Sequence, residues 1–208
     1  MLGLEMKLFQ FVPFATAILG RVVTARPVNP NHDERGDLHT GLNSSQVLHS
    51  YPCPDTSLAF PLMRAYSTSY KDHFYTMTGS EIEEFMKNGY TFEGDAALLF
   101  SSLHFSTLSK TNSTSLTALY RLYNPQALDH FYTASSTERD NGSGRGYIYE
   151  GITGFLWPQQ VCGSVPLYGL WNEEKEDHLY TIVVVERDTA IKWQGYVSQG
   201  IVGYVLEP

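Results

Sequence analysis

Basic charge, cysteine and long apolar runs are all scarce in this 208-residue sequence, and each shortage excludes something. Its 14 Lys+Arg stand against 22 Asp+Glu, a formal net charge of −8, with no cluster of cations. The electrostatic footprint that a phosphate backbone requires is missing, which excludes nucleic acid as a partner. Only residues 8–19 form an apolar run of about a dozen, whereas a membrane span needs about 20, so no span is expected. Catalytic signatures are absent too: there is no His-Glu-x-x-His, no Gly-x-Ser-x-Gly and no phosphate loop. No catalytic residue, metal or cofactor is therefore assigned. Charged residues make up only 17%, yet there are 14 tyrosines, a composition of folded rather than disordered chains. The length suits one ordinary domain or two very small ones.

The one apolar run follows Lys7 and ends in Val23-Thr24-Ala25 before Arg26-Pro27. A short apolar core closed by small residues at the −3 and −1 positions is what signal peptidase reads, so residues 1–25 are expected to be a signal peptide cleaved after Ala25. Cleavage removes Glu5, Lys7 and Arg21, a net +1, and the mature chain becomes −9. In an oxidising, extracellular compartment Cys53 and Cys162 form the only possible intrachain disulfide. Asn43, Asn112 and Asn141 head glycosylation sequons and belong on exposed loops if used. Residues 26–50 offer prolines and polar groups but little to bury, and read as a flexible leader.

The strongest signal is internal repetition. Asp72-His73-Phe74-Tyr75-Thr76 returns as Asp129-His130-Phe131-Tyr132-Thr133 and as Asp177-His178-Leu179-Tyr180-Thr181. Each is followed by Gly-Tyr (Gly89-Tyr90, Gly146-Tyr147, Gly195-Tyr196), and then by Glu93-Gly94, Glu150-Gly151 or Gln199-Gly200. An aromatic, Tyr66, Tyr123 or Trp171, stands six residues before each Asp. Three copies matching at four anchors define units of about 45 residues, spanning roughly 62–100, 118–158 and 166–207. The intervals of 57 and 48 residues differ because Ser101 to Ser115, rich in Ser and Thr, reads as a long surface loop.

Within a unit, aromatic and β-branched residues flanking a turn predict a hairpin. Thr78-x-x-Glu81 and Ser135-x-x-Glu138 predict capped short helices ended by glycine. Val183 stands where the third cap should be, and Gly142 and Gly144 predict a second helix that is short or absent. Two further short strands about the Glu-Gly turn close the unit. Such units cannot each bury a core and must share one. The expected fold is mainly β with short helices, a pseudo-threefold domain over residues 51–208 of about a dozen strands, β-trefoil-like or a ring of three small antiparallel sheets.

Copy two reads Tyr123, Asp129-His130-Phe131-Tyr132-Thr133, Glu138-Arg139 and Gly146-Tyr147-x-x-Glu150-Gly151-Ile152-x-Gly154-Phe155. This string resembles a secreted repeat family of unknown function found in fungal and bacterial extracellular proteins. The resemblance covers most of residues 62–207. Copy one departs at Ile82 and Ala97, copy three at Leu179 and Gln199. Members are often attached to secreted hydrolases, so the resemblance implies a binding or anchoring accessory and brings no catalytic residues.

Alternation along the Asp-His-x-Tyr-Thr strand puts His and Tyr on one face, Asp and Thr on the other. Asp72, His73, Tyr75, Asp129, His130, Tyr132, Asp177, His178 and Tyr180 are the ligand-binding candidates, carboxylates accepting sugar hydroxyls and rings covering a pyranose face. The competing reading makes them a buried hydrogen-bond network with Asp fixing the hairpin backbone. That reading is favoured by their recurrence while the hairpin tips diverge. Convergence of the three histidines on a metal, and a Glu93/Glu150 acid and base pair, are further alternatives. The functional expectation is a secreted, monomeric, non-catalytic module for cell-wall or extracellular glycans. A secreted hydrolase, or an effector binding a host protein, is the alternative.

Overall fold

The computed structural model describes residues 53–108 and 115–208. The expected signal peptide (residues 1–25) and leader (residues 26–50), with Asn43 and Asn112, lie outside the described residues. Asp55 accepts from the Ser57 backbone N–H and opens a 3-10 turn at Thr56–Leu58. A first segment follows: β1 (Ala59–Ser67), β2 (Asp72–Thr76), α1 (Gly79–Lys87) and β3 (Thr91–Phe100). After α2 (Ser102–Leu108) the order returns as β4 (Thr117–Asn124), β5 (Asp129–Thr133), α3 (Ser136–Asn141) and β6 (Ile148–Leu156). It returns again as β7 (Val165–Asn172), β8 (Asp177–Thr181), α4 (Val184–Trp193) and β9 (Val197–Val205). In each segment the first strand is the middle of an antiparallel trio. Pairing of Phe100 with Phe155 joins two trios into a six-stranded sheet, β2-β1-β3-β6-β4-β5, beside the three-stranded β8-β7-β9. The fold is mainly β with short helices, but with nine strands among the described residues instead of a dozen.

The shortfall has one cause. The expected pair of closing strands is a single strand in each segment, bent where Gly94, Gly151 and Gly200 adopt φ of 113°, 130° and 98° and the pairing register shifts. A left-handed glycine here makes a β-bulge, not a turn. The hairpin tips, unrelated in sequence, share a backbone feature: Lys71, Leu128 and Glu176, each immediately before the Asp, have φ of 58°, 61° and 55°. A non-glycine in this region costs about 1 kcal/mol or more, so the turn shape is imposed by the strands it joins.

The helix starts also differ from expectation. Thr78 makes no side-chain cap, whereas Ser135 does accept from Glu138 N–H. In α1 the Thr76 hydroxyl, from the end of β2, accepts the Thr78 N–H at 3.0 Å and bonds the Glu81 carboxylate. Thr133 and Thr181 do the same for Ser135 and Val183. The strand threonine thus satisfies the backbone at each helix entry, and α4 forms although Val183 cannot cap. α3 is short, as its glycines require, and continues as a 3-10 turn at Gly142–Arg145. The Ser/Thr-rich insert is not simply a loop: α2 lies in it, Ser101 accepts the first N–H groups, and Phe105 stacks on Phe155 at 4.0 Å. Aromatic burial outweighs the poor helix propensity of its neighbours.

One core is drawn from all three segments. Leu62, Leu119 and Leu167 meet Tyr75, Tyr132 and Tyr180, with Leu99, Leu156 and Val205 around them. Each fully buried leucine contributes about 1.5–3 kcal/mol by leaving water. Separate clusters lie under the helices, such as Ala65, Phe74, Ile82 and Tyr90 beneath α1, and Leu170, Leu179, Ala190 and Tyr196 beneath α4. Cys53 and Cys162 are bonded, their Cα atoms 5.5 Å apart. No helix among the described residues is long and apolar enough to cross a membrane.

Candidate functional site

The short strands β2, β5 and β8 are buried at every residue, on both faces. Their tyrosines form a closed cycle. Tyr75 N–H donates to the Tyr132 hydroxyl, Tyr132 N–H to the Tyr180 hydroxyl, and Tyr180 N–H to the Tyr75 hydroxyl, each at 2.8 Å. The hydroxyls in turn donate to backbone carbonyls, Tyr75 to Tyr180 and Tyr132 to Tyr75. Burial raises all three phenols above their ordinary pKa, so they remain neutral donors.

The aspartates form a second cycle on the other face. Asp72 accepts the His130 N–H at 2.9 Å, and His130 Nδ1 lies 2.6 Å from its second oxygen. Asp129 binds His178 in the same way, and Asp177 binds His73. Tyr90, Tyr147 and Tyr196, from the Gly-Tyr pairs, donate their hydroxyls to Asp72, Asp129 and Asp177. Each Asp therefore ties its own segment to the next one, rather than fixing its own hairpin. With exposures of 0% the three carboxylates present no open oxygen to solvent. Their oxygens, not the histidines, are the potential metal ligands that converge, all within 4.8 Å. Every one of these carboxylates already accepts from an imidazole, an amide and a phenol, which accounts for their burial. Each histidine is covered by the aromatic opposite it: Tyr66 on His73 at 4.3 Å, Tyr123 on His130 at 4.5 Å, Trp171 on His178 at 4.4 Å.

Where segments meet, arginines bridge carboxylates from two sides. Arg64 Nε lies 2.8 Å from Glu93, and its two terminal nitrogens hold Glu186 at 2.9 and 3.1 Å. Arg121 lies 2.8 Å from both Glu81 and Glu150. Burial pushes the Glu81 carboxyl up, but Arg121 and Thr76 outweigh it and hold the group below its ordinary value; Arg64 and Thr181 do the same for Glu186. Glu93 and Glu150 thus belong to different arginines and form no acid and base pair.

Between the first and third segments Arg64, Glu93 and Glu186 edge a cavity of about 690 Å³, lined also by Tyr66, His73, Lys175, Leu179 and Tyr196. Its origin lies in side-chain size. At the corresponding contact Phe74 and Phe85 stack at 3.5 Å and their edges pack on His130. Tyr90 N–H bonds the Phe85 carbonyl and Tyr196 N–H bonds that of Ala190, so Ala190 occupies the position of Phe85. Leu179 and Ala190 replace two stacked rings, and His73 faces open space instead of phenylalanine. The cavity falls within the size range of small-molecule sites and combines aromatic faces with fixed polar groups.

All nine candidate residues are therefore inside the protein, and His73 is the one whose ring reaches the edge of this cavity. Asn141 is exposed, at the end of α3. Arg64, Arg121 and Glu186 were not among the candidates. Their signal was present: a Glu recurs nine residues after each Asp (Glu81, Glu138, Glu186), and an Arg stands two before Tyr66 and Tyr123.

No curated protein and no solved structure matches this chain significantly. One family model does match, over residues 61–206, the span that contains every strand among the described residues except the first two residues of β1. The chain belongs to the family described as domain of unknown function DUF5648.

Proposed function

We propose that this chain is a secreted, non-catalytic binding module for glycans of a cell wall or extracellular matrix, and that the sugar occupies the cavity beside Tyr66 and His73. The observation that carries the reading is the cavity itself. Sugar recognition needs an aromatic surface for the C–H face of a ring and rigid polar groups for its hydroxyls. Tyr66, partly exposed, supplies the first, while Glu93 and Glu186, immobilised by Arg64, supply acceptors, and Lys175 a donor. Carboxylates already ordered by an arginine lose little entropy on binding. The apolar run and Val23-Thr24-Ala25 support secretion, with which the Cys53–Cys162 disulfide is compatible.

A glycan array followed by a polysaccharide pull-down tests the reading. Binding should fall at least tenfold in Ala190→Phe, which puts back the missing ring, and in Thr189→Trp, which blocks the rim from an exposed position. The rim variant keeps the test informative if the core substitution fails to fold. Absence of binding to any glycan, or binding indifferent to a folded Thr189→Trp, overturns it.

A further inference from the structure

The arginine bridges occur at two of the three meetings between segments. Arg64 stands opposite Tyr75 and Gly94 in the strand pairing, and Arg121 opposite Tyr132 and Gly151. The residue opposite Tyr180 and Gly200 is Gly169. At this third meeting the donor is gone but the acceptors remain. Glu138 is bonded by Thr133 as Glu81 is by Thr76, and Gln199 takes the position of Glu93 and Glu150 beside the bulge glycine. Among the described residues Glu138 has no ion pair, and it is exposed where Glu81 and Glu186 are half-buried. A cavity of about 340 Å³ opens there, lined by Glu138, Gln199, Thr133, Tyr180, Arg145 and Val202. Arg145, the only cation on that lining, lies over the rings of Phe131 and Tyr147 at 5.1 and 5.7 Å.

We propose that this cavity receives the guanidinium of an arginine side chain from a protein or peptide partner, which takes the place that Arg64 and Arg121 fill internally. The internal arginines supply the template: terminal nitrogens on the helix glutamate, Nε on the side chain preceding the bulge glycine. A guanidinium from outside would donate two N–H bonds to Glu138 and its Nε–H to the Gln199 carbonyl oxygen, beside the Tyr180 ring. A planar fork meets both acceptors in a fixed bidentate geometry, while an ammonium is a compact point charge without that fork, so arginine is preferred to lysine. This site is separate from the cavity beside His73 and does not depend on sugar binding.

Titration of the full chain with Nα-acetyl-arginine methylamide, followed by NMR, tests the proposal. Saturable shifts at Glu138 and Gln199 are expected, about tenfold weaker with the lysine analogue and about tenfold weaker in Glu138→Gln, a difference of about 1.4 kcal/mol. Thr189→Trp should leave this binding unchanged. Gly169→Arg rebuilds the internal arginine; a Cβ there would lie 3.0 Å from Val202 Cγ2, so it is paired with Val202→Ala, the residue the first segment has as Ala96. Gly169 is not left-handed, so the backbone accepts the side chain. The double variant should lose arginine binding. Several results overturn the proposal: no saturable binding, equal binding of the lysine analogue, or binding untouched by Glu138→Gln or by the folded double variant. Binding that appears only in Arg145→Ala also overturns it, because Arg145 would then be the occupant. If the double variant does not fold, Glu138→Gln alone decides.

Discussion

Replacing Asp129 by Ala isolates what the aspartate cycle contributes. The carboxylate is 0% exposed and accepts from three groups: the His178 N–H at 2.9 Å, the Tyr147 hydroxyl, and His178 Nδ1 at 2.7 Å. Alanine leaves those groups inside the protein with no acceptor and no room for bulk water. An orphaned buried donor costs about 1–3 kcal/mol, and here the partners of one carboxylate are orphaned together. These costs overlap, so the expected loss is about 3–5 kcal/mol, a large part of the 5–15 kcal/mol available to a domain of this kind. Thermal unfolding should fall by about 10 °C or more. Asp129→Asn should cost less, because its carbonyl oxygen still accepts the His178 N–H, but its amide then opposes the Tyr147 hydroxyl. Urea unfolding of the three proteins measures the difference. A loss below about 1 kcal/mol for Asp129→Ala would refute the reasoning, since the aspartate would then not be joining β5 to β8.

Acid should destabilise the fold through Glu81 and Glu186, whose carboxyls are held below their ordinary values. A depressed folded pKa contributes stability that is complete above the unfolded value of about 4.3 and is lost as pH falls through the lower folded value. Glu81→Gln should lower stability at neutral pH and flatten the loss between about pH 5 and pH 3; a parallel pH profile for the variant would contradict this. Reduction of the Cys53–Cys162 bond, or Cys53→Ser with Cys162→Ser, releases a loop closed over 109 residues and should cost about 4–5 kcal/mol in equilibrium unfolding, and an unchanged midpoint would show that the loop is restrained in other ways.

Much of this architecture could be read from residue order because it depends on local chemistry. The recurring Asp-His-x-Tyr-Thr strands, the Gly-Tyr pairs that follow them and the pairing of two lone cysteines all appear where expected. Glu-Gly predicts a turn where the structure has a bulge because the pair serves both, and the choice rests on whether the strand continues to pair beyond it. α2 was hidden by its Ser and Thr, as the partner that orders Phe105, Phe155, lies far along the chain.

Sequence alone determined that Asp, His, Tyr and Thr act as a set, since they persist while the tips between them change. It also determined the β-rich class, from aromatic strands separated by turn residues. Tertiary structure alone decided what the set does: each Asp reaches the histidine of a neighbouring segment, a contact between residues 49 to 104 positions apart. It likewise decided where open space lies. Leu179, Ala190 and Gly169 look like ordinary small-residue variation, and become two cavities only because folding sets them against His73 and Glu138. A cavity is a property of what surrounds a residue, and no position in a sequence carries its surroundings with it.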